Sequence, residues 1–256
     1  MTVEATGAGG RGAGSAGGRA ALVTGASSGI GLALARMLAE EGHGVTMAAR
    51  RPEKLAAAAA GLRAEGFDVH DVAASLGAED EIGRVVAAHR ERYGRLDVLV
   101  NNAGLGVGAS IDDYPTKHLD RQLDVNLRSV ILFYRECAGM LRAAGADHGR
   151  ALVVNTASIA GKHGQAWLSV YSATKAGVIG FTQAMNQELA GAGIKSCALC
   201  PGFVDTAMTD FVKDRVKAED MIAPEDVAEM VRALLRLSPA AIVPEIQFVR
   251  AGEAGG

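Results

Sequence analysis

The chain is short of cysteine, of basic charge and of long apolar runs, and each shortage excludes something. Cys137, Cys197 and Cys200 are the only cysteines in 256 residues. An odd, low number argues against a disulfide framework and suits a reducing, cytoplasmic location. Lys and Arg number 26 against 29 Asp and Glu, a net charge of −3. A nucleic-acid binder would usually carry a basic face, so no such partner is expected. No apolar run is long enough to cross a bilayer, and the first residues lack the apolar middle of a signal peptide, so no membrane partner is expected. The six histidines show no H-E-x-x-H or similar spacing, and no metal site is expected. Cys197 and Cys200 do form a C-x-x-C. They fall in a strand-like run, where residues three apart point to opposite faces, and no second pair exists. Two buried cysteines are the expected outcome.

What is present is a regular alternation. Residues 1–18, rich in Gly with Ala, Ser and Thr, read as a disordered arm. The arm contains a literal G-x-G-x-x-G over Gly7–Gly12, but no strand precedes it and no helical pattern follows, so it carries no meaning. From residue 19 apolar strand-like runs ("RAALVT", "GVTMAA", "FDVHDV", "LDVLVNNAG", "RALVVNTAS", "IKSCALCPG", "EIQFV") are separated by helical patterns. One of these patterns is a long helical region over roughly 115–143. A looser segment, 203–222, follows the sixth run. Alternation of this kind predicts βαβ units: a single-domain, doubly wound, Rossmann-type α/β fold over 19–256. Its parallel sheet should have about seven strands with helices on both faces. "LVVN" and "DVLV" are apolar on both sides, as a doubly covered sheet requires. Ligands of such sheets bind beyond the carboxyl ends of the strands.

The loop after the first strand is Thr24-Gly25-Ala26-Ser27-Ser28-Gly29-Ile30-Gly31. Glycines permit the tight turn and the close approach of backbone to a pyrophosphate, which a helix N-terminus attracts. A P-loop would place Lys here, and there is none, which argues against an ATPase. "TGASSGIG", "NNAG", Ser158 and "YSATK" occur in this order, each after its expected strand. In these motifs the chain resembles the short-chain dehydrogenase/reductase family, from residue 19 onward.

The resemblance implies a nicotinamide cofactor, bound by Gly25, Ser27, Ser28, Gly29, Ile30 and Gly31. It also implies contacts from Asp71 and Val72 near the adenine. Asn101 would tie the cofactor loop to the sheet, with Asn102, Ala103 and Gly104 beside the cofactor. Pro201, Gly202, Val204 and Thr206 would approach the nicotinamide amide. Asp71 and Asn101 also read as strand-end caps. Where the family often carries an Asp that favours NAD(H), this chain has Ala49, followed by Arg50 and Arg51. Arginine can hold a 2′-phosphate through charge-assisted hydrogen bonds. Such a phosphate would also relieve the penalty of positive charge at a helix N-terminus. NADP(H) is therefore expected over NAD(H).

Tyr171 and Lys175 are four apart in a helical pattern, so they share a face. A neighbouring ammonium should lower the phenol pKa toward the range useful for acid–base catalysis. The resemblance implies a catalytic tetrad of Asn126, Ser158, Tyr171 and Lys175. Asn126 would hold a water connecting the lysine to solvent. The implied activity is hydride transfer between NADP(H) and a small, largely apolar ketone, aldehyde or secondary alcohol. Ser158, His163, Trp167, Phe203 and Met208 are candidate pocket residues, although His163 also reads as a solvated loop residue and the apolar set as lid packing. Gly177 and Gly180, with Ala173 and Ala176, give a small-residue helix face, suited either to packing within the chain or to a homodimer or homotetramer. The C-terminal "VPEIQFVRAGEAGG" differs from the "VDGG"-like ending of acyl-carrier-protein reductases, so a 3-oxoacyl-thioester substrate is the less favoured alternative. A non-catalytic nucleotide sensor would be expected to lack part of the tetrad, and a methyltransferase would not need the Tyr–Lys pair.

Overall fold

A computed structural model describes residues 18–251. Nearly all of the expected Gly-rich arm, including its G-x-G-x-x-G, lies outside the described residues, as do the last five positions. The strands are β1 (Ala20–Thr24), β2 (Gly44–Ala49), β3 (Val69–Ala73), β4 (Val98–Asn101), β5 (Ala151–Thr156), β6 (Ile194–Pro201) and β7 (Glu245–Phe248). They form one sheet in the order β3-β2-β1-β4-β5-β6-β7, and every pairing is parallel. The order reverses between β1 and β4, which opens a crevice at their carboxyl ends.

The helices are α1 (Gly29–Glu40), α2 (Pro52–Ala64), α3 (Glu79–Tyr93), α4 (Thr116–Leu123), α5 (Ser129–His148), α6 (Ser169–Leu189) and α7 (Pro224–Arg236). Pro52 and Pro224 stand in the first turns of α2 and α7, where a missing N–H costs nothing. Leu34, Leu38, Leu55, Leu62 and Val227 of α1, α2 and α7 pack on one face of the sheet. Ile82, Phe133, Leu141 and Leu189 of α3, α5 and α6 pack on the other. Each fully buried Leu or Phe contributes about 1.5–3 kcal/mol. The sheet is thus covered on both sides, as its two-sided apolar strands require.

The long helical region differs from expectation in two respects: it runs on to His148, five residues past the expected end, and it is interrupted. A single π-helical turn, Asp124–Arg128, separates α4 from α5, and such turns often accompany functional positions. Asn126 lies on it. The small-residue face of α6 packs within the chain at one of its glycines. A Cβ at Gly177 would meet Leu127 of the same chain at 3.1 Å, whereas one at Gly180 would meet nothing within 4 Å. At the opposite, amino-end edge of the sheet, buried Asp97 accepts the Ala20 N–H at 2.7 Å and so fixes the entry to β1.

Candidate active site

The crevice between β1 and β4 is stitched by side chains. The Thr24 hydroxyl accepts the amides of Asn102 at 2.9 Å and Ala103 at 3.0 Å. Asn102 returns its own amide to the Thr24 carbonyl at 3.2 Å and accepts the Thr156 hydroxyl at 3.2 Å. Asn102 therefore links β1, β4 and β5. The role expected of Asn101 belongs to its neighbour, because consecutive strand residues face opposite ways. Asn101 points into the interior and donates to Asn155 Oδ1 at 2.9 Å. The phosphate-type loop is tight. Gly25 has φ +67°, and a Cβ there would lie 2.9 Å from Ala103 Cα. A Cβ at Gly31 would collide with the Gly25 carbonyl. Ser28 precedes α1 in extended conformation, with no side-chain cap on the helix, so the first N–H groups stay available to an anion.

Around this loop stand the other expected cofactor segments. Arg50 and Arg51 are exposed between β2 and α2, and neither guanidinium takes part in an ion pair or hydrogen bond among the described residues. Asp71 lies within β3, and its carboxylate is held by Arg63 of α2 at 2.8 Å. The Val72 side chain packs into the core beside Ile82. Pro201 ends β6, and Gly202 N–H donates to the Phe248 carbonyl at 2.8 Å. Val204 is buried. The Thr206 methyl crosses the start of α1, where a Cβ at Gly29 would meet it at 2.8 Å. Ser27, Gly29, Ile30 and Gly104 all remain partly accessible.

The tetrad candidates come together from β5, α6 and the π turn. Ser158 lies beyond the end of β5, where its hydroxyl accepts the Ala160 N–H at 3.1 Å and faces the Pro201 carbonyl at 3.4 Å. Lys175 Nζ lies 5.7 Å from the centre of the Tyr171 ring and donates to the Thr156 carbonyl at 2.7 Å. A Cβ at Gly104 would lie 3.4 Å from Lys175 Nζ and 3.5 Å from Asn126 Oδ1, so the three groups surround one small space. Burial pushes the Lys175 ammonium down to about 8. Burial raises the Tyr171 phenol above its usual range, while a hydrogen bond with Ser158 works in the opposite direction. This corrects the expectation of a lowered phenol. Lys175 is 3% exposed, and desolvation outweighs the attraction the ammonium was expected to supply. A phenol so placed is protonated at neutral pH.

The pocket candidates leave the same sheet edge. His163 and Trp167 are exposed on the segment between β5 and α6, and Phe203 and Met208 follow β6. The Arg250 guanidinium lies 5.8 Å from the Phe203 ring centre. Gln122 was not anticipated. It is fully buried and joins the Tyr114 hydroxyl, with the backbone of Val107, in one hydrogen-bonded group. Its spacing of four from Asn126 was the available signal. Thr24 and Thr156 were also missed, since a strand-end threonine has no distinguishing pattern. Cys197 and Cys200 are buried free thiols, each pushed up to about 12 by burial. Among the described residues no cluster could hold a metal ion and no helix is long and apolar enough to cross a membrane.

Comparison with known proteins adds independent findings. Residues 19–217 match the family model described as short chain dehydrogenase. A Streptomyces coelicolor protein provisionally named a ketoacyl reductase is 39% identical over 253 residues, covering 91% of this chain and 95% of its own. A similarly named protein of the monensin polyketide synthase from Streptomyces virginiae is 42% identical over 196 residues, 76% of this chain and 74% of its own. Among solved structures, an actinorhodin polyketide ketoreductase with NADPH superposes with a TM-score of 0.83 at 36% identity, covering 93% of this chain and 98% of that one. A Burkholderia cenocepacia short chain dehydrogenase in complex with NADP gives 0.81 at 31% identity, with 90% and 96% covered.

Proposed function

This chain belongs to the short chain dehydrogenase family, and we propose that it is an NADP(H)-dependent oxidoreductase acting on a ketone, aldehyde or secondary alcohol. The observation that carries this reading is the meeting of Ser158, Tyr171 and Lys175 at one sheet edge beside the phosphate-type loop. The nicotinamide supplies hydride chemistry when bound. The protein's residues position and protonate. In the reducing direction the Ser158 and Tyr171 hydroxyls donate to the substrate carbonyl oxygen, and Tyr171 gives up its proton as the alkoxide forms. Burial favours the protonated phenol that this step consumes. Lys175, with its pKa near 8, returns a proton near neutrality. Asn126, assigned a water in this relay, supports it further by holding the loop that closes over the lysine.

The glycines of residues 25–31 and the α1 N-terminus would take the pyrophosphate. Arg50 and Arg51 would take the 2′-phosphate that distinguishes NADP(H). Support comes from their exposure without side-chain partners, and from solved relatives whose descriptions include NADPH or NADP. Asn102, Ala103, Gly104, Gly202 and Thr206 would flank the nicotinamide. A second reading, reduction of a 3-oxoacyl group, is favoured by the names of relatives from two Streptomyces species. Assembly as a homodimer or homotetramer is supported by Leu123 and Ile131, each 40% exposed on α4 and α5 around Leu127, which packs against Gly177 of α6. Three buried, unpaired thiols support a cytoplasmic location.

The test mixes the purified protein with NADPH or NADH and a panel of ketones, aldehydes and a 3-oxoacyl thioester, following loss of the reduced cofactor. NADPH should be preferred in kcat/KM by about tenfold or more, the worth of one charged hydrogen bond. The Arg50→Ala/Arg51→Ala double variant should erase that preference. Equal use of both cofactors by the unaltered protein would refute the NADP(H) assignment, and no oxidation with any carbonyl would refute the enzyme.

A further inference from the structure

Trp167 is the only described residue other than glycine with positive φ, at +70°. A bulky side chain in that region is strained and persists only where its surroundings fix it. Here the fixing contacts are visible. The Ala109 N–H donates to the Trp167 carbonyl at 3.0 Å. The indole lies over Gly108, where any Cβ would collide with the ring.

The loop beneath the indole is itself held by two buried amides. Asn126 accepts the Leu105 N–H at 2.9 Å and donates to the Leu105 carbonyl at 2.8 Å. Gln122 accepts the Val107 N–H at 3.1 Å and donates to the Val107 carbonyl at 3.2 Å. Together these amides do for residues 105 and 107 what a neighbouring strand would do. The glycine between those residues and the one after them are left to face rings. A Cβ at Gly106 would lie 3.8 Å from the Tyr171 ring, and Gly108 underlies Trp167. Two residues of extended chain span about 7 Å, so both rings rest on one short, fixed stretch. Trp167 nevertheless stays 57% exposed. A strained apolar ring that forgoes burial is not accounted for by core packing.

We propose that Trp167 is a specificity-determining residue whose open indole face stacks on flat, aromatic ketones and delivers their carbonyl to Tyr171. The proposal rests on the reductase reading above. Offset stacking suits a flat partner. A platform already fixed by Gln122, Asn126 and Gly108 adds little ordering cost on binding.

The test compares 1-tetralone, flat and aromatic, with cyclohexanone. In Trp167→Ala the ratio of kcat/KM for 1-tetralone over cyclohexanone should fall by about tenfold, the upper end for one aromatic pair. Trp167→Phe should restore most of the ratio, and Gly108→Ala, which unseats the ring, should lower it. Trp167→Gly relaxes the strained backbone and should still show the low ratio. An unchanged ratio in Trp167→Ala, or recovery in Trp167→Gly, would overturn the proposal. Because Trp167 is the only tryptophan, its emission reports binding without turnover. In Tyr171→Phe loaded with NADP+, 1-tetralone should alter that emission and cyclohexanone should not. An emission response to 1-tetralone, with no NADPH oxidised by the unaltered protein in the presence of any ketone, would refute the reductase reading and leave the platform standing. Turnover of both ketones without an emission response would refute the platform alone.

Discussion

Two charged side chains are buried at opposite ends of the same sheet, and only one of them is neutralised. At the amino end Asp97, 1% exposed, accepts hydrogen bonds from the Ala20 N–H at 2.7 Å and from Arg95 at 2.6 and 2.9 Å. His148 Nε2 lies 2.8 Å from Oδ1, the oxygen that also takes one of the Arg95 bonds. At the carboxyl end Lys175, 3% exposed, has the neutral Thr156 carbonyl as its hydrogen-bond partner. Burial opposes both charges, with opposite outcomes. For Asp97 the partners outweigh burial and hold the carboxyl below its usual range. For Lys175 burial prevails and the ammonium falls to about 8. A compensated buried charge is held to its ionised form by partners that are costly to strand, whereas an uncompensated one at the carboxyl-end edge of such a sheet is poised to exchange a proton.

The comparison can be broken most directly at Lys175. Lys175→Met should lower turnover by about 100-fold or more, the scale of a proton-transfer contribution, while lowering stability by no more than about 1 kcal/mol and, below about pH 8, raising it. Steady-state kinetics and urea unfolding on one preparation would check both. If stability collapses with turnover, Lys175 is a structural charge like Asp97. The reverse experiment is Asp97→Ala. It strands the buried Ala20 N–H, leaves Arg95 only the longer pair with Asp147 at 3.3 Å, and should cost about 3 kcal/mol by urea unfolding, with kcat of the folded fraction retained.

A smaller effect lies in the pH dependence, where the two sites should act at opposite limits. Asp97 has a depressed pKa, so its contribution is present above the ordinary carboxylate range and is lost as pH falls through its folded value. Lys175 also has a depressed pKa, but as a base. Between about 8 and the ordinary lysine value the unfolded chain binds more protons, so stability rises with pH. Any stability advantage of Lys175→Met over the unaltered protein should therefore shrink by about 2 kcal/mol from about pH 7 to about pH 10. A constant difference would mean that Lys175 titrates normally.

Much of this arrangement is legible in the amino-acid sequence. The alternation of apolar runs and helical patterns suffices for the sheet, because a doubly covered parallel strand has few other sequence solutions. Tyr171 and Lys175 are legible through their spacing on a helix, and Ser158 through its place after β5. The misreadings are all local or environmental. Asn101 ends β4 and Asn102 follows it directly, and a one-residue choice of facing reverses their roles. The π turn at Asp124–Arg128 leaves the apolar periodicity almost unchanged. The raised Tyr171 phenol depends on burial by segments far away in sequence, which no local pattern encodes. Gln122 and Gly108 acquire meaning only once the loop after β4 is seen lying across α4 and beneath Trp167.

The central claim is that the Tyr171 hydroxyl supplies the proton at the carboxyl-end edge. Tyr171→Phe removes that one oxygen and leaves the ring against Gly106. NADPH binding by calorimetry and a single turnover with a reducible ketone should be measured on the same variant. The account predicts NADPH affinity within about threefold of the unaltered protein and a single-turnover rate lower by about 100-fold or more. A variant that binds NADPH and reduces the ketone at a near-normal rate would contradict it.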